Sequence, residues 1–169
     1  IYADWSLTAH HQGDDENARQ LAQKARDLAQ ESNDHAALVQ VHNILGILAR
    51  HAADLPQAQE HLQKSLSLAT AAGHPSARIA ALNNLALVYV DARQLAVAQR
   101  TFEKALQLCQ ALGDRHREAA LLNNLADLHH AARRSAEAMA HLKRAAAIFA
   151  EIGGQQQEWQ PEIWKLSEW

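Results

Sequence analysis

The chain has 169 residues, 16 Lys and Arg against 19 Asp and Glu, and one cysteine, Cys109. A net charge of −3 argues against a nucleic-acid module driven by bulk charge, and a single thiol excludes a disulfide framework or a thiolate zinc site within one chain. The apolar 48% is mostly Ala and Leu, strong helix formers, while 6 Gly and 3 Pro are too few for the turns of an all-β fold.

From the N-terminus onward, apolar residues recur at spacings of three and four between short polar breaks. The pattern predicts a helix over 2–12 with a partner over 14–31, then pairs over 35–51 and 55–72, 76–92 and 95–112, 116–132 and 135–152. The pair over 76–112 has clear punctuation. Pro75 and Ser76 open it, because proline at a first turn costs no hydrogen bond. Ile79, Leu82, Leu85, Ala86 and Tyr89 make one apolar face, and "DARQ" at 91–94 breaks it. Leu95, Ala98, Phe102, Ala105, Leu106 and Cys109 make the next stripe, which Gly113 ends. No segment alternates with period two for long enough to be a strand. No run of about 18 apolar residues is present to span a membrane, and no leader pattern opens the chain. The chain begins at Ile1, partway through a helical pattern, as expected of a piece cut from a longer protein. A reducing, cytoplasmic setting fits the lone cysteine.

The helices repeat. Leu45, Leu85 and Leu125 are evenly spaced, and their neighbours align. Asn43, Asn83 and Asn123 coincide, as do the small Gly46, Ala86 and Ala126. Ala18, Ala58, Ala98 and Ala138 form a third row, and Ala25, Ser65, Ala105 and Ala145 a fourth. Small residues at fixed places are what closely packed antiparallel helices need. A single helix pair cannot bury its apolar faces, but stacked pairs bury a continuous core. The expectation is an all-α chain, an α-solenoid of antiparallel helix pairs with repeats over about 1–34, 35–75, 76–115 and 116–155. In the tail, Ile163, Leu166 and Ser167 follow Leu122, Leu125 and Ala126 by one repeat with a slip of one position, which predicts a capping or partial-repeat helix over 156–169. Trp159, Trp164 and Trp169 crowd that segment, either covering the last pair or forming an interface.

Leu85, Ala86, Tyr89, Ala98, Phe102 and Ala105 follow a large, small, aromatic, small, aromatic, small pattern, and Gly46 stands at its small position. In this the chain resembles the tetratricopeptide repeat family over roughly residues 1–155. The family's repeat is about 34 residues, whereas this one is 40. Long repeats with an Asn-Asn-Leu-Ala phrase resemble those of kinesin light chains. The linkers "AAGHP" and "ALGDR" are similar to those of spindle adaptor proteins and of bacterial signalling regulators and ATPases. The Ala, Arg and His bias favours the bacterial group. The resemblance implies a right-handed superhelix whose first helices line a concave groove that holds an extended peptide or protein segment.

On a helical wheel, Leu82, Leu85, Ala86 and Tyr89 share one side, while Ala80, Asn83, Asn84, Leu87 and Asp91 lie away from it. The resemblance turns that other side toward the groove. Asn43, Asn83, Asn84, Asn123 and Asn124 are therefore candidates to pair with a peptide backbone, since each amide offers an acceptor and two donors. The alternative is that they bond between adjacent helices and fix the stacking. Ile47, Arg50, Leu87, Asp91, Asp127 and His130 are their expected neighbours. Asparagines, Leu87 and Asp127 stand where a lysine-rich carboxylate clamp needs its basic groups, so chaperone-tail binding is not expected. Arg115, Arg117, Arg133 and Arg134 are expected to be solvated.

No catalytic phrase, phosphate-cradling glycine loop or partnered cysteine occurs, and the chain reads as a non-enzyme without cofactors. Cys109 falls on a packed stripe, where it serves as a small hydrophobe. The 11 histidines include adjacent pairs such as His10–His11 and His129–His130, which point about 100° apart on a helix, and no His-Glu-x-x-His phrase is present, so no metal site is expected. Direct nucleic-acid or membrane binding is not expected. The alternatives to peptide binding are self-assembly through the solenoid ends into a homo-oligomer, and an accessory role within a larger ATPase or enzyme.

Overall fold

The computed structural model describes residues 1–153, so the expected cap over 156–169, with Trp159, Trp164 and Trp169, lies outside the described residues. The described chain forms α1 (Tyr2–His11), α2 (Asp15–Glu31), α3 (His35–His51), α4 (Leu55–Ala71), α5 (Pro75–Asp91), α6 (Leu95–Leu112), α7 (Arg115–Ala131) and α8 (Ser135–Gly153). No strand occurs among the described residues. These bounds match the expected helices to within a residue or so at each end.

The turns between helices are copies of one design. Gly13, Asn33, Ala53, Gly73, Arg93, Gly113 and Arg133 are evenly spaced, half a repeat apart, and all have positive φ. In each turn this residue's N–H bonds to the carbonyl three back, and the next N–H to the carbonyl five back. Gly13 to His10 and Asp14 to Ala9, both 2.9 Å, are the first case. The pairing satisfies the last carbonyls of the preceding helix and reverses the chain. The residue after the left-handed one then starts the next helix. Asp14, Asp34, Asp54 and Asp114 accept from the backbone N–H three residues on. Such a cap stabilises by about 1 kcal/mol. His74 and Gln94 occupy the same place without a side-chain cap bond. Ala53, Arg93 and Arg133 hold the left-handed conformation without being glycine, at roughly 1 kcal/mol each.

The aligned small residues mark where helices touch. Buried residues on α2 are Ala18, Ala22, Ala25 and Ala29; α4 buries Ala58, Leu62, Ser65 and Ala69 at the same places, and α6 Ala98, Phe102, Ala105 and Cys109 among its buried residues. Each helix packs on the next, and α3 also touches α1 and α5, so the odd helices form an inner row of a helical solenoid. The core runs along this stack. Val41, Ile44 and Leu48 pack near α1 and α2, Leu62, Leu85 and Val88 bridge the middle, and Phe102 packs with Ile79, Leu121, Leu122 and Leu125 beyond. Full burial of one such side chain stabilises by about 1.5–3 kcal/mol. Two buried serines are satisfied across helices: Ser6 donates to the Ala18 carbonyl at 2.7 Å and Ser65 to that of Val39 at 2.8 Å.

The arginines expected to be solvated are mostly engaged. Arg115 bridges Glu118 and Glu151, Arg117 pairs with Asp114 at 2.8 Å, and Arg134 donates to Gln99 at 3.0 Å. Their places at helix starts bring them within reach of side chains one turn away or on the neighbouring pair.

Gly46 is the tightest approach. A Cβ built there would lie 2.7 Å from Leu62 Cδ2, nearer still to its Cγ, and 3.3 Å from the Ala58 carbonyl oxygen. Leu62 is itself fully buried and has no free direction in which to move. Gly46→Ala is expected to destabilise the chain by about 1–3 kcal/mol, the range for overpacking, despite the better helix propensity of alanine; urea unfolding measures it.

Candidate functional site

Successive odd helices meet at an offset of one repeat plus one position. His10 faces His51 with ring centroids 4.4 Å apart. Asn43 meets Asn84 at 3.1 Å, Arg50 pairs with Asp91 at 2.6 Å, and Asn83 meets Asn124 at 2.8 Å. The groove candidates Arg50 and Asp91 are thus joined to each other across α3 and α5.

The asparagines form a directional chain. The Asn124 amide donates to the Asn83 oxygen, Asn83 to Asn84 at 3.2 Å, and Asn84 to Asn43. Asn83, Asn84 and Asn124 are buried, while Asn43 and Asn123 are partly exposed. Bonding between adjacent helices is therefore present in the geometry. The amides accessible to solvent are those of Asn43 and Asn123. Of the neighbours, Ile47 is buried, Arg50 and Leu87 are half-buried, and Asp91, Asp127 and His130 are exposed. Desolvation raises the Asp127 carboxyl above its usual range, with His130 opposing the shift. A side chain open to water yet poorly hydrated is what a concave surface produces.

A cavity of about 400 Å³ opens beside Asn43. Val39 and Gln40 from α3, Ala77 and Ala80 from α5, and Arg117 from α7 line it, with His74 at the rim. Its walls are largely small, so a ligand can approach the helix backbones. Gln40 donates its amide N–H to Asp4 at 3.0 Å and also lines the opening. Sequence reasoning did not single out Gln40, although it shares a repeat position with Ala80 and precedes Asn43 by three residues. A second cavity, of about 550 Å³, lies at the far end of the described stack between Asn123 and the α8 residues Leu142, Ala145, Ala146 and Phe149.

The histidines pair away from any metal arrangement. No group of three or more His, Cys, Asp or Glu side chains gathers in a ligating cluster among the described residues. His42 and His61 approach at 3.1 Å between Nδ1 atoms, and His129 stacks on His141 with centroids 5.0 Å apart. Burial pushes the His42 imidazole down to about 4, with Lys64 and His61 adding to the effect. Burial also lowers His61, His129 and His141. Cys109 is fully buried, and burial pushes its thiol up to about 12, far from a reactive thiolate.

The stacked pairs and the inner row of first helices define an α-solenoid. A family profile described as tetratricopeptide repeat matches residues 2–71 and 78–151, and the chain belongs to that family. Among solved structures, aspartyl phosphate phosphatase F from Bacillus subtilis is similar with a TM-score of 0.83 at 17% identity, over 90% of this chain and 40% of its own. A signal transduction ATPase with numerous domains, carrying a tetratricopeptide repeat sensor, from Pyrococcus horikoshii gives 0.77 at 17% identity, over 91% of this chain and 24% of its own. BtubC from P. vanneervenii gives 0.66 at 19% identity, over 93% and 82%. At these identities the likeness is one of fold, and the chain spans less than half the length of the first two. No curated protein matches the chain by sequence.

Two outcomes follow from the buried polar groups. Asn83→Ala removes the acceptor of Asn124 and the donor to Asn84 inside the stack, and is expected to cost about 1–3 kcal/mol in thermal or urea unfolding. For the histidines, the unfolded chain binds protons below about pH 6.5, whereas native His42 stays neutral down to about 4. The unfolded state therefore holds more protons in this window, and stability falls as pH drops from about 6.5 toward 4. His42→Leu, with the residue found at the equivalent Leu82 and Leu122, is expected to flatten that part of the stability–pH curve measured by thermal unfolding.

Proposed function

We propose that the chain is a protein–protein interaction module whose concave face, along α3, α5 and α7, holds an extended segment of a partner protein, as part of a regulatory or signalling protein. One observation carries the reading: the cavity beside Asn43, lined from three successive first helices, with small walls and polar groups at its edge. An extended strand rises about 3.3 Å per residue with side chains alternating. Lying across the inner row, it would set backbone groups against Asn43 and Gln40 and a small side chain against Ala77 and Ala80. Leu87, Asp91, Asp127, His130 and Asn123 continue the same face toward the C-terminal end. In this proposal Asn83, Asn84 and Asn124 act from beneath, holding Asn43 in place, and the Arg50–Asp91 pair offers both charges at the edge. The sensor role of the repeats in the Pyrococcus horikoshii protein is consistent with such a part in regulation.

The test is selection of a displayed library of random peptides on the chain, followed by affinity measurement on variants. Ala80→Glu, which fills the cavity with a charge at a helix-tolerant position, is expected to weaken the selected peptides at least tenfold with an unchanged melting temperature. Asn43→Ala is expected to weaken them severalfold. Selected peptides that bind Ala80→Glu as well as the parent chain would sink the groove.

A further inference from the structure

The face opposite the groove carries a charge without a counter-charge. Arg78 and Leu82 on α5 lie roughly opposite Ala80 and Leu87 at 100° per residue. They line a cleft of about 400 Å³ with Leu66 and Thr70 of α4 and Lys104, Gln107 and Leu108 of α6. Among the described residues, two cations, Arg78 and Lys104, line the cleft, and no carboxylate does. The Arg78 Nε is buried and has no hydrogen-bond partner among the described residues.

The next repeat supplies the comparison. Glu118 occupies the position of Arg78 one repeat on, and it is buried. There the charge is fully served: Arg115 donates to one oxygen at 2.7 Å and Gln110 to the other at 3.0 Å. In the middle repeat the equivalents of Arg115 and Gln110 are Pro75 and Thr70, and the Thr70 hydroxyl is donated to the Leu66 carbonyl at 2.7 Å. One repeat earlier the position is the uncharged Leu38. So a stack that answers this position with leucine, or with a charge and its partners, here presents a guanidinium and leaves its inner edge unanswered. Arg78 as a whole is half-buried and lines the cleft, and a guanidinium is shaped to take a carboxylate by two parallel bonds.

We infer that the cleft between α4, α5 and α6 is a second docking site, which takes a carboxylate side chain from an acidic segment of a partner protein. The carboxylate sits on the accessible part of the Arg78 guanidinium, Lys104 adds a point charge, the Gln107 amide is a further donor within the lining, and Leu66, Leu82 and Leu108 cover the aliphatic part of the side chain. This site lies on the other face of α5 from the concave groove and does not depend on it.

The experiment uses the whole chain and a capped hexaglutamate peptide as probe, with the Arg78 Nε–H resonance followed by NMR. A saturable shift of that resonance is expected, weakened by added salt and at least fivefold weaker in Lys104→Gln. Arg78→Leu is expected to abolish binding while raising the melting temperature of the free chain, because it removes an unpaired charge; a purely structural arginine would lower it. Inorganic phosphate forms a second arm. No saturable shift with the peptide, an equal midpoint in Lys104→Gln, a destabilised Arg78→Leu, or saturation by phosphate alone would each overturn the proposal. Ala80→Glu leaves this binding unchanged if the two sites are separate, so failure here and failure of the groove are told apart.

Discussion

The two-residue hinge at each turn is the constraint on which the rest of the stack depends. One residue enters the left-handed region and closes the outgoing helix; the next caps the incoming one. Because the hinge recurs at every half repeat, each helix after the first has nearly the same length and each pair reverses in the same way. Equal helices bring equivalent positions to equivalent heights along the stack. Only then do Ala18, Ala58 and Ala98 all fall at a contact, and only then does the offset of one repeat plus one align His10 with His51 and Arg50 with Asp91.

That regularity leaves two kinds of position. On the second helices the buried stripe keeps alanine at fixed places, all four buried residues in α2, while α4 adds Leu62 and α6 adds Phe102 and Leu106 to fill the space between pairs. On α3, α5 and α7 burial is broader, reaching adjacent positions such as Asn83 and Asn84 as well as Leu82 and Leu85, because α3 and α5 have neighbours on several sides. Polar groups there must be answered from within the stack. The amide chain through Asn124, Asn83, Asn84 and Asn43 does this with side chains alone and links three successive repeats. Its partly exposed end is Asn43, which accepts from Asn84.

The sequence made the helices, their pairing and the close contacts legible, since each leaves a residue type at a fixed spacing: Ala98 and Ala58, Gly46 and Ala86, Pro75, Gly113. What escaped it was set by neighbours a repeat away. A wheel drawn for 76–92 assigns Asn83 and Asn84 to the side away from Leu82 and Leu85, which is correct about α5 alone. It does not contain α3 and α7, which close over those same residues. The left-handed turns at Ala53, Arg93 and Arg133 escaped for a different reason. No glycine marks them, and only their even spacing from Gly13, Gly73 and Gly113 gives them away. The unanswered guanidinium of Arg78 becomes visible only once Glu118 and its partners are seen at the same place one repeat later.

Contacts among the described helices join each one to the next, with the inner row linking next-but-one neighbours. This has a kinetic consequence. Touching residues are never far apart along the chain, so little loop entropy opposes their meeting, and chains of such low contact order fold quickly. Cohesion is then a sum of nearest-neighbour terms, as in a one-dimensional lattice, and the units with a neighbour on one side only open first. Within the described stack, the two interior pairs, α3–α4 and α5–α6, are each flanked on both sides, so opening is expected to start from the pairs outside them.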